Sequence, residues 1–221
     1  RGGVLPTPLP VVLGHEGAGI VEQVGAAVSG FQAGDAVVLS GSSCGHCPSC
    51  RRNLPAYCDQ GFARIFGGRR RDGSSPLRQG GAGLDGSFVG QSSFAECAIV
   101  EERSAVEVAG AARLELLGPL GCGVITGAGA VLRSMRLQAG QSLAVFGVGG
   151  VGMSAVMAAR LAGASRILAI DRNVARLDLA IELGATHAVV AGDDAVARIR
   201  AIVPRGVDLS LNTTWAAPVF D

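Results

Sequence analysis

Four cysteines in one short stretch, Cys44, Cys47, Cys50 and Cys58, form C-x2-C-x2-C-x7-C. Four thiolates at that spacing can close a tetrahedral shell around Zn2+ within a single loop. The surrounding segment has little apolar content to fold around, so a metal would organise it. His46 lies inside the loop, but four cysteines already complete the shell, which makes it a solvated loop residue. A second constellation is Gly147-x-Gly149-x-x-Gly152 with Asp171 further on. The chemistry there is phosphate and ribose binding. Gly147 permits a tight turn, Gly149 lets backbone approach a pyrophosphate, and Gly152 lets a helix pack close to the preceding strand. The helix N-terminus offers N–H groups to phosphates, and an acid at the end of the next strand accepts from a ribose hydroxyl.

The elements that must position these groups can be read from periodicity. Leu143–Phe146 is a charge-free apolar run, as a strand buried on both faces requires. Met153–Leu161 carries a helical pattern ended by Gly163, and Arg166–Ile170 is a second strand ending in Asp171. Asn173 caps a helix whose Val174, Leu177 and Ile181 share a face before Gly184 ends it. A strand at His187–Val190 follows. Asp193 or Asp194 caps a further helix with Val196, Ile199 and Val203 recurring before Pro204, and Val207–Leu211 is a fourth strand. Strand–helix alternation of this kind makes a parallel, doubly wound sheet. Earlier in the chain the pattern differs. Val11–Leu13, Gly19–Val24, Ala36–Leu39 and Ser93–Val100 read as strands, with turns at Gly25, Gly30 and Gly34-Asp35, which suggests a small antiparallel barrel. Arg113–Leu132 reads as apolar, glycine-interrupted helix joining two domains.

Composition bounds the function. With 48% hydrophobic and 17% charged residues, the chain is a packed globular protein. Its net charge of +1 and few aromatics (seven Phe, one Trp, one Tyr) speak against a nucleic-acid binder built on the zinc loop with Arg51, Arg52 and Arg69–Arg71. Those three consecutive arginines read as a solvated loop. The uncharged run from Leu137 to Ala159 is broken by Gln138, Gln141, Ser142, Ser154 and glycines, so strand, turn and helix explain it better than a membrane span. Arg1–Pro10 lacks a signal pattern, and six cysteines without one suggest reduced thiols in a cytoplasmic protein. Cys97, His187, Met153 and Met157 read as core residues.

Gly14-His15-Glu16-Gly17-Ala18-Gly19, the four-cysteine lobe, Gly121-Cys122-Gly123 with Thr126-Gly127, and the glycine turn with Asp171 occur in that order. Together they resemble the zinc-dependent medium-chain alcohol dehydrogenases. Gly118–Gly123 with Gly127–Leu132 is most similar to the aryl-alcohol (benzyl-alcohol) and terpene-alcohol branch. The resemblance implies a GroES-like β-barrel catalytic domain over residues 1–123 and an incomplete Rossmann domain over residues 124–221. His15 and Cys122 would be ligands of a catalytic zinc with Glu16 beside them, and Cys44, Cys47, Cys50 and Cys58 would hold a structural zinc. Thr126 and Val151 would lie near the nicotinamide of NAD, and Gly150 would offer its N–H to the pyrophosphate. Asp171 would favour NAD over NADP by repelling a 2′-phosphate, a preference that Arg172 partly opposes. The implied reaction passes a hydride from a primary, aryl or allylic alcohol to NAD, giving an aldehyde, in a homodimer or homotetramer. A glutathione- or mycothiol-linked formaldehyde dehydrogenase shares these motifs. The family's third zinc-ligating cysteine and its proton-relay hydroxyl would lie upstream of Arg1, and two further strands and a returning segment beyond Asp221. The chain therefore reads as truncated at both ends, and an isolated 221-residue chain is expected to be inactive or nearly so, an inert zinc-binding fragment.

Overall fold

The computed structural model describes residues 6–108 and 113–216. Arg1 and Asp221, the ends that read as cut, lie outside the described residues. The chain forms two compact units, Arg1–Cys122 and Gly123–Asp221.

In the first unit, β1 (Ala18–Ile20) and β2 (Ala36–Leu39) pair antiparallel. The chain continues through two short helices, α1 (Pro48–Arg51) and α2 (Gly61–Phe66), and a hairpin of β3 (Leu77–Gln79) and β4 (Ala82–Leu84). β5 (Ala105–Glu107) then pairs with the other side of β2, giving the order β1-β2-β5. β2 is the centre of this sheet, and Val37, Val38 and Leu39 are all buried, as a strand paired on both edges and covered on both faces requires.

Two expected strands are absent among the described residues. Val11–Leu13 makes a single bridge, Val11 to Asp85, and Ser93–Val100 runs as irregular chain. The N–H groups of Ser93 and Phe94 donate instead to the carbonyls of Gly14 and Leu13. Beyond Phe94 no neighbouring strand among the described residues takes up the ladder, and apolar content alone cannot make a strand without an edge to pair with. The strand read at Gly19–Val24 ends at Ile20. Cys97 is exposed rather than core, 3.5 Å from the Glu22 carboxylate, whose hydrogen bond and charge push the thiol up. Arg69, Arg70 and Arg71 are exposed, as expected for a solvated loop.

In the second unit, α3 (Gly123–Gly129) leads into a π-helical turn at Ala130–Ser134. Then β6 (Ser142–Phe146), α4 (Gly150–Leu161), β7 (Arg166–Asp171), α5 (Val174–Leu183), β8 (His187–Val190), α6 (Ala195–Ile202) and β9 (Leu209–Asn212) alternate. The four strands are parallel, in the order β8-β7-β6-β9. Side-chain alternation splits the core into two layers. Leu143, Val145, Ile167 and Ala169 pack with Val148, Ala155, Val156 and Ala159, while Ala144, Leu168, Ile170 and Val189 pack with Ile199 and Val203 on the opposite face. Each fully buried Leu, Ile or Val contributes about 1.5–3 kcal/mol.

Some helical positions turn differently from the expectation. On α5 the buried residues are Leu177 and Ala180, with Val174 and Ile181 exposed. Val196 and Met157 are also at the surface, and His187 is half-buried. On α5 the small Ala180 takes a buried place that apolar bulk alone would assign to Val174 or Ile181. Among the described residues no helix is long and apolar enough to cross a membrane.

Candidate functional site

The second unit's strand order reverses between β6 and β9, which opens a crevice beyond their C-terminal ends. Gly147 sits there, directly after β6, with φ +82°, and its N–H donates to Ile170 O at 2.7 Å. Gly149 caps α4, and the N–H groups of Gly150, Val151 and Gly152 precede the first intrahelical bond, from Met153 N to Gly149 O at 2.8 Å. A Cβ on Gly152 would overlap the Gly147 carbonyl, whereas one on Gly149 or Gly150 would meet open space. The turn is thus packed on its inner side and open where a pyrophosphate would approach. α4 begins three residues earlier than its apolar pattern, because the glycines form its first turn.

Asp171 ends β7 with its side chain nearly buried, and both of its oxygens are held by backbone donors. Oδ2 accepts from Val148 N at 2.8 Å and Oδ1 from Asn173 N at 2.9 Å, with Arg176 Nη1 4.0 Å from Oδ2. A carboxylate has about four acceptor sites, so capacity remains for ribose hydroxyls. Arg172 is exposed. Thr126 lies exposed on α3, and the next residue, Gly127, is where α3 meets the Val151 carbonyl of α4 too closely for a Cβ. Sequence reasoning missed the corner after β9. Thr213 Oγ1 donates to Gly147 O at 2.7 Å, and Asn212 Oδ1 accepts from Thr214 N at 2.8 Å. No local motif marks that corner, since its partners lie in β6 and the turn.

In the first unit the four lobe cysteines converge, with their sulfurs all within 4.8 Å of one another. Cys44, Cys47 and Cys58 are buried, Cys50 is half-buried, and none is in a disulfide. A tetrahedron with Zn–S bonds of about 2.3 Å has edges of roughly 3.8 Å. The Cys44–Cys50 sulfur separation is 3.9 Å. Backbone N–H groups point at the sulfurs, Cys44 N to Cys58 at 3.2 Å and Cys47 N to Cys44 at 3.3 Å.

Burial acts against the Cys44 thiolate, but hydrogen bonds from the backbone of His46 and Cys47 and from the Cys58 and Cys47 thiols outweigh it and bring Cys44 down to about 6. Backbone N–H groups of Asp59 and Cys50 lower Cys47. Burial and then the neighbouring thiols push Cys50 up to about 11. Four thiols whose sulfurs lie within 4.8 Å of one another gather like charge as they ionise, which a divalent cation would neutralise. The residues present fit a zinc ion. His46 is exposed, with Nδ1 2.9 Å from Cys44 O.

A second cluster joins His15, Glu16 and Cys122, whose ligand atoms also lie within 4.8 Å of one another. Close backbone approach brings them together. A Cβ on Gly118 would overlap Glu16 O, and one on Gly121 would overlap the Leu39 carbonyl of β2. These glycines let the Gly118–Cys122 turn lie against β2 and the Gly14–Gly17 segment. His15 packs edge-on against Phe88, with ring centroids 6.0 Å apart. Burial, then the Glu16 carboxylate, pushes the Cys122 thiol up. An imidazole, a thiol and a carboxylate in mutual reach suit zinc, with the thiol ionising as the metal binds. Gln91 bridges His15 O and Gly17 N from a wholly buried position that the sequence does not reveal.

Two family models match the chain: the alcohol dehydrogenase GroES-like domain over residues 1–110, and the zinc-binding dehydrogenase over residues 150–221. The chain is 50% identical to the geraniol dehydrogenase of Castellaniella defragrans over 218 residues, which is 97% of this chain and 58% of that protein. It is 46% identical over its whole length to a probable alcohol dehydrogenase of a Pseudomonas species, covering 71% of it. The crystal structure of benzyl alcohol dehydrogenase from Acinetobacter calcoaceticus superposes with a TM-score of 0.89 at 42% identity, over 97% of this chain and 58% of that one. The chain belongs to the zinc-dependent medium-chain alcohol dehydrogenase family. It spans little more than half the length of the geraniol dehydrogenase it matches.

Proposed function

We propose that this chain carries the metal-holding and dinucleotide-holding parts of an NAD-dependent alcohol dehydrogenase that oxidises a primary aryl or allylic alcohol to the aldehyde. The observation that carries this reading is the convergence of His15, Glu16 and Cys122, drawn from opposite ends of the first unit into one cluster. In this reading residues 1–123 form the catalytic domain and residues 124–221 the NAD-binding domain. The similarity to a geraniol dehydrogenase and a benzyl alcohol dehydrogenase supports the substrate class.

Bound zinc would supply Lewis acidity at the alcohol oxygen, and NAD the hydride acceptor. The chain's own residues do the holding. Cys44, Cys47, Cys50 and Cys58 fix the lobe around a structural ion, while His15 and Cys122 are two ligands of a catalytic one with Glu16 beside them. The Gly150 N–H would donate to the pyrophosphate at the start of α4, and Asp171 would accept from the adenosine ribose. Thr126 and Val151 would lie near the nicotinamide. The working enzyme is cytoplasmic and homodimeric or homotetrameric.

The test has two parts. Metal analysis of the polypeptide extended to its relatives' length should find zinc in both clusters, with Cys122→Ala losing one ion and Cys58→Ser the other. The polypeptide extended to its relatives' length should reduce NAD with geraniol or benzyl alcohol. Failure to reduce NAD with either alcohol would overturn the substrate class, and metal in the lobe alone would overturn the catalytic site.

A further inference from the structure

We propose that Gln91 is the positioning residue of the His15–Glu16–Cys122 cluster, setting the backbone that presents His15 to a metal. The inference rests on the metal-site reading above and concerns a residue with no part in metal ligation.

Gln91 is 2% exposed, and its amide spans the peptide on either side of Glu16. Nε2 donates to His15 O at 3.0 Å, and Oε1 accepts from Gly17 N at 3.1 Å. A primary amide offers a donor and an acceptor side by side in one plane, so Gln91 pairs with the His15–Gly17 backbone as a neighbouring strand would. β2 reaches this segment through Leu39 N, which donates to Gly17 O at 2.8 Å, and the Gln91 amide takes the two neighbouring groups, His15 O and Gly17 N. The fit is tight, since a Cβ on Gly17 would come within 3.0 Å of Gln91 Oε1.

The loop around Gln91 is committed to the same task. Ser92 Oγ donates to Val12 O at 2.6 Å, and the Phe88 ring backs the His15 imidazole. Val89 at φ +54° and Ser92 at φ +49° both hold left-handed backbone without being glycine. Such conformations are costly, most of all for a β-branched residue, and persist where surrounding contacts over-determine them. The loop is thereby a rigid mount for the amide, and the amide for His15.

Zinc-protected alkylation tests this by mass spectrometry of the cysteine peptides. In the wild-type polypeptide extended to its relatives' length, zinc should protect Cys122 and the four lobe cysteines, while exposed Cys97 is alkylated throughout and serves as the internal standard. Gln91→Met keeps length and removes both hydrogen bonds. It should raise the zinc concentration that half-protects Cys122 by about tenfold or more, as loss of partners that orient metal ligands does. The lobe's half-protection should not move, which separates positioning from general destabilisation. Should the Met variant lose lobe protection as well, Gln91→Glu at alkaline pH applies the same criterion. Its carboxylate still accepts from Gly17 N but repels the His15 carbonyl.

A Cys122 midpoint within twofold of wild type, in whichever variant keeps the lobe intact, overturns the proposal and leaves the metal site standing. Absence of Cys122 protection in the extended wild-type polypeptide overturns the metal site and, with it, this role for Gln91.

Discussion

Asp171 shows how a single side chain can serve two ends. Its carboxylate ties the glycine turn to β7 through Val148 N and still has room for a ribose. Asp171→Ser with Arg172 retained should therefore do more than remove a repulsion. Hydrogen bonds to a charged group are worth about 1.5–3 kcal/mol, so NADH affinity should fall at least about tenfold. NADPH affinity should hold or rise as the negative charge goes, and fluorescence titration with both cofactors checks this. An unchanged ratio of the two affinities would contradict the assignment. Thr213 belongs to the same scale. Thr213→Val removes the hydroxyl that donates to Gly147 O and should weaken NADH binding several-fold, with Thr213→Ser restoring it. That pair of titrations separates the hydrogen bond from the methyl group beside it.

Single elements are held by their ends. Asn173 caps α5, its side chain accepting from Arg176 N at 3.3 Å. Asn173→Ala should cost about 1 kcal/mol, read as a lower denaturant midpoint of the second unit. Asp194 occupies the cap position of α6, yet its carboxylate binds Arg198 one turn on, so it behaves as a surface ion pair more than a cap. At the opposite ends of β6 and β9, Asp208 accepts from both Ser142 N and Ser142 Oγ, and those bonds hold its carboxyl below the ordinary carboxylate range. A carboxyl whose folded pKa is depressed adds stability that is fully present above its unfolded value of about 3.9 and fades as pH falls through the lower folded value. Wild type and Asp208→Ala should accordingly differ in denaturant midpoint near neutral pH and draw together as pH falls through the depressed folded value. A gap that persists in acid would show that the aspartate acts by packing.

At the scale of the whole molecule, two compact units with separate ligands should respond separately. Calorimetry is expected to show two transitions. A strong chelator should lower the one belonging to Arg1–Cys122, because metal binding to such a lobe is also folding energy. NADH should raise the other by mass action. A single transition shifted equally by both would contradict independent units.

The glycine turn, the strand and helix around it, the Asn173 cap and the four-cysteine lobe were legible in the sequence, because each depends on residues a few positions apart. Buried strands such as β6 read directly as charge-free runs, since both faces are covered. The His15–Glu16–Cys122 cluster was visible through resemblance, and its convergence needed the turn at Gly118–Gly121 to lie against β2. Other features were decided only in three dimensions. Ser93–Val100 reads like a strand and is not one, for want of a partner along its edge. Cys97 has the side chain of a core residue and lies in solvent. Gln91 and Thr213 look like ordinary polar loop residues, yet they bind backbone 76 and 66 residues away. Local chemistry determines which peptide shapes a segment can take. Which distant backbone groups then need a partner depends on how the elements pack, and no spacing along the chain encodes that.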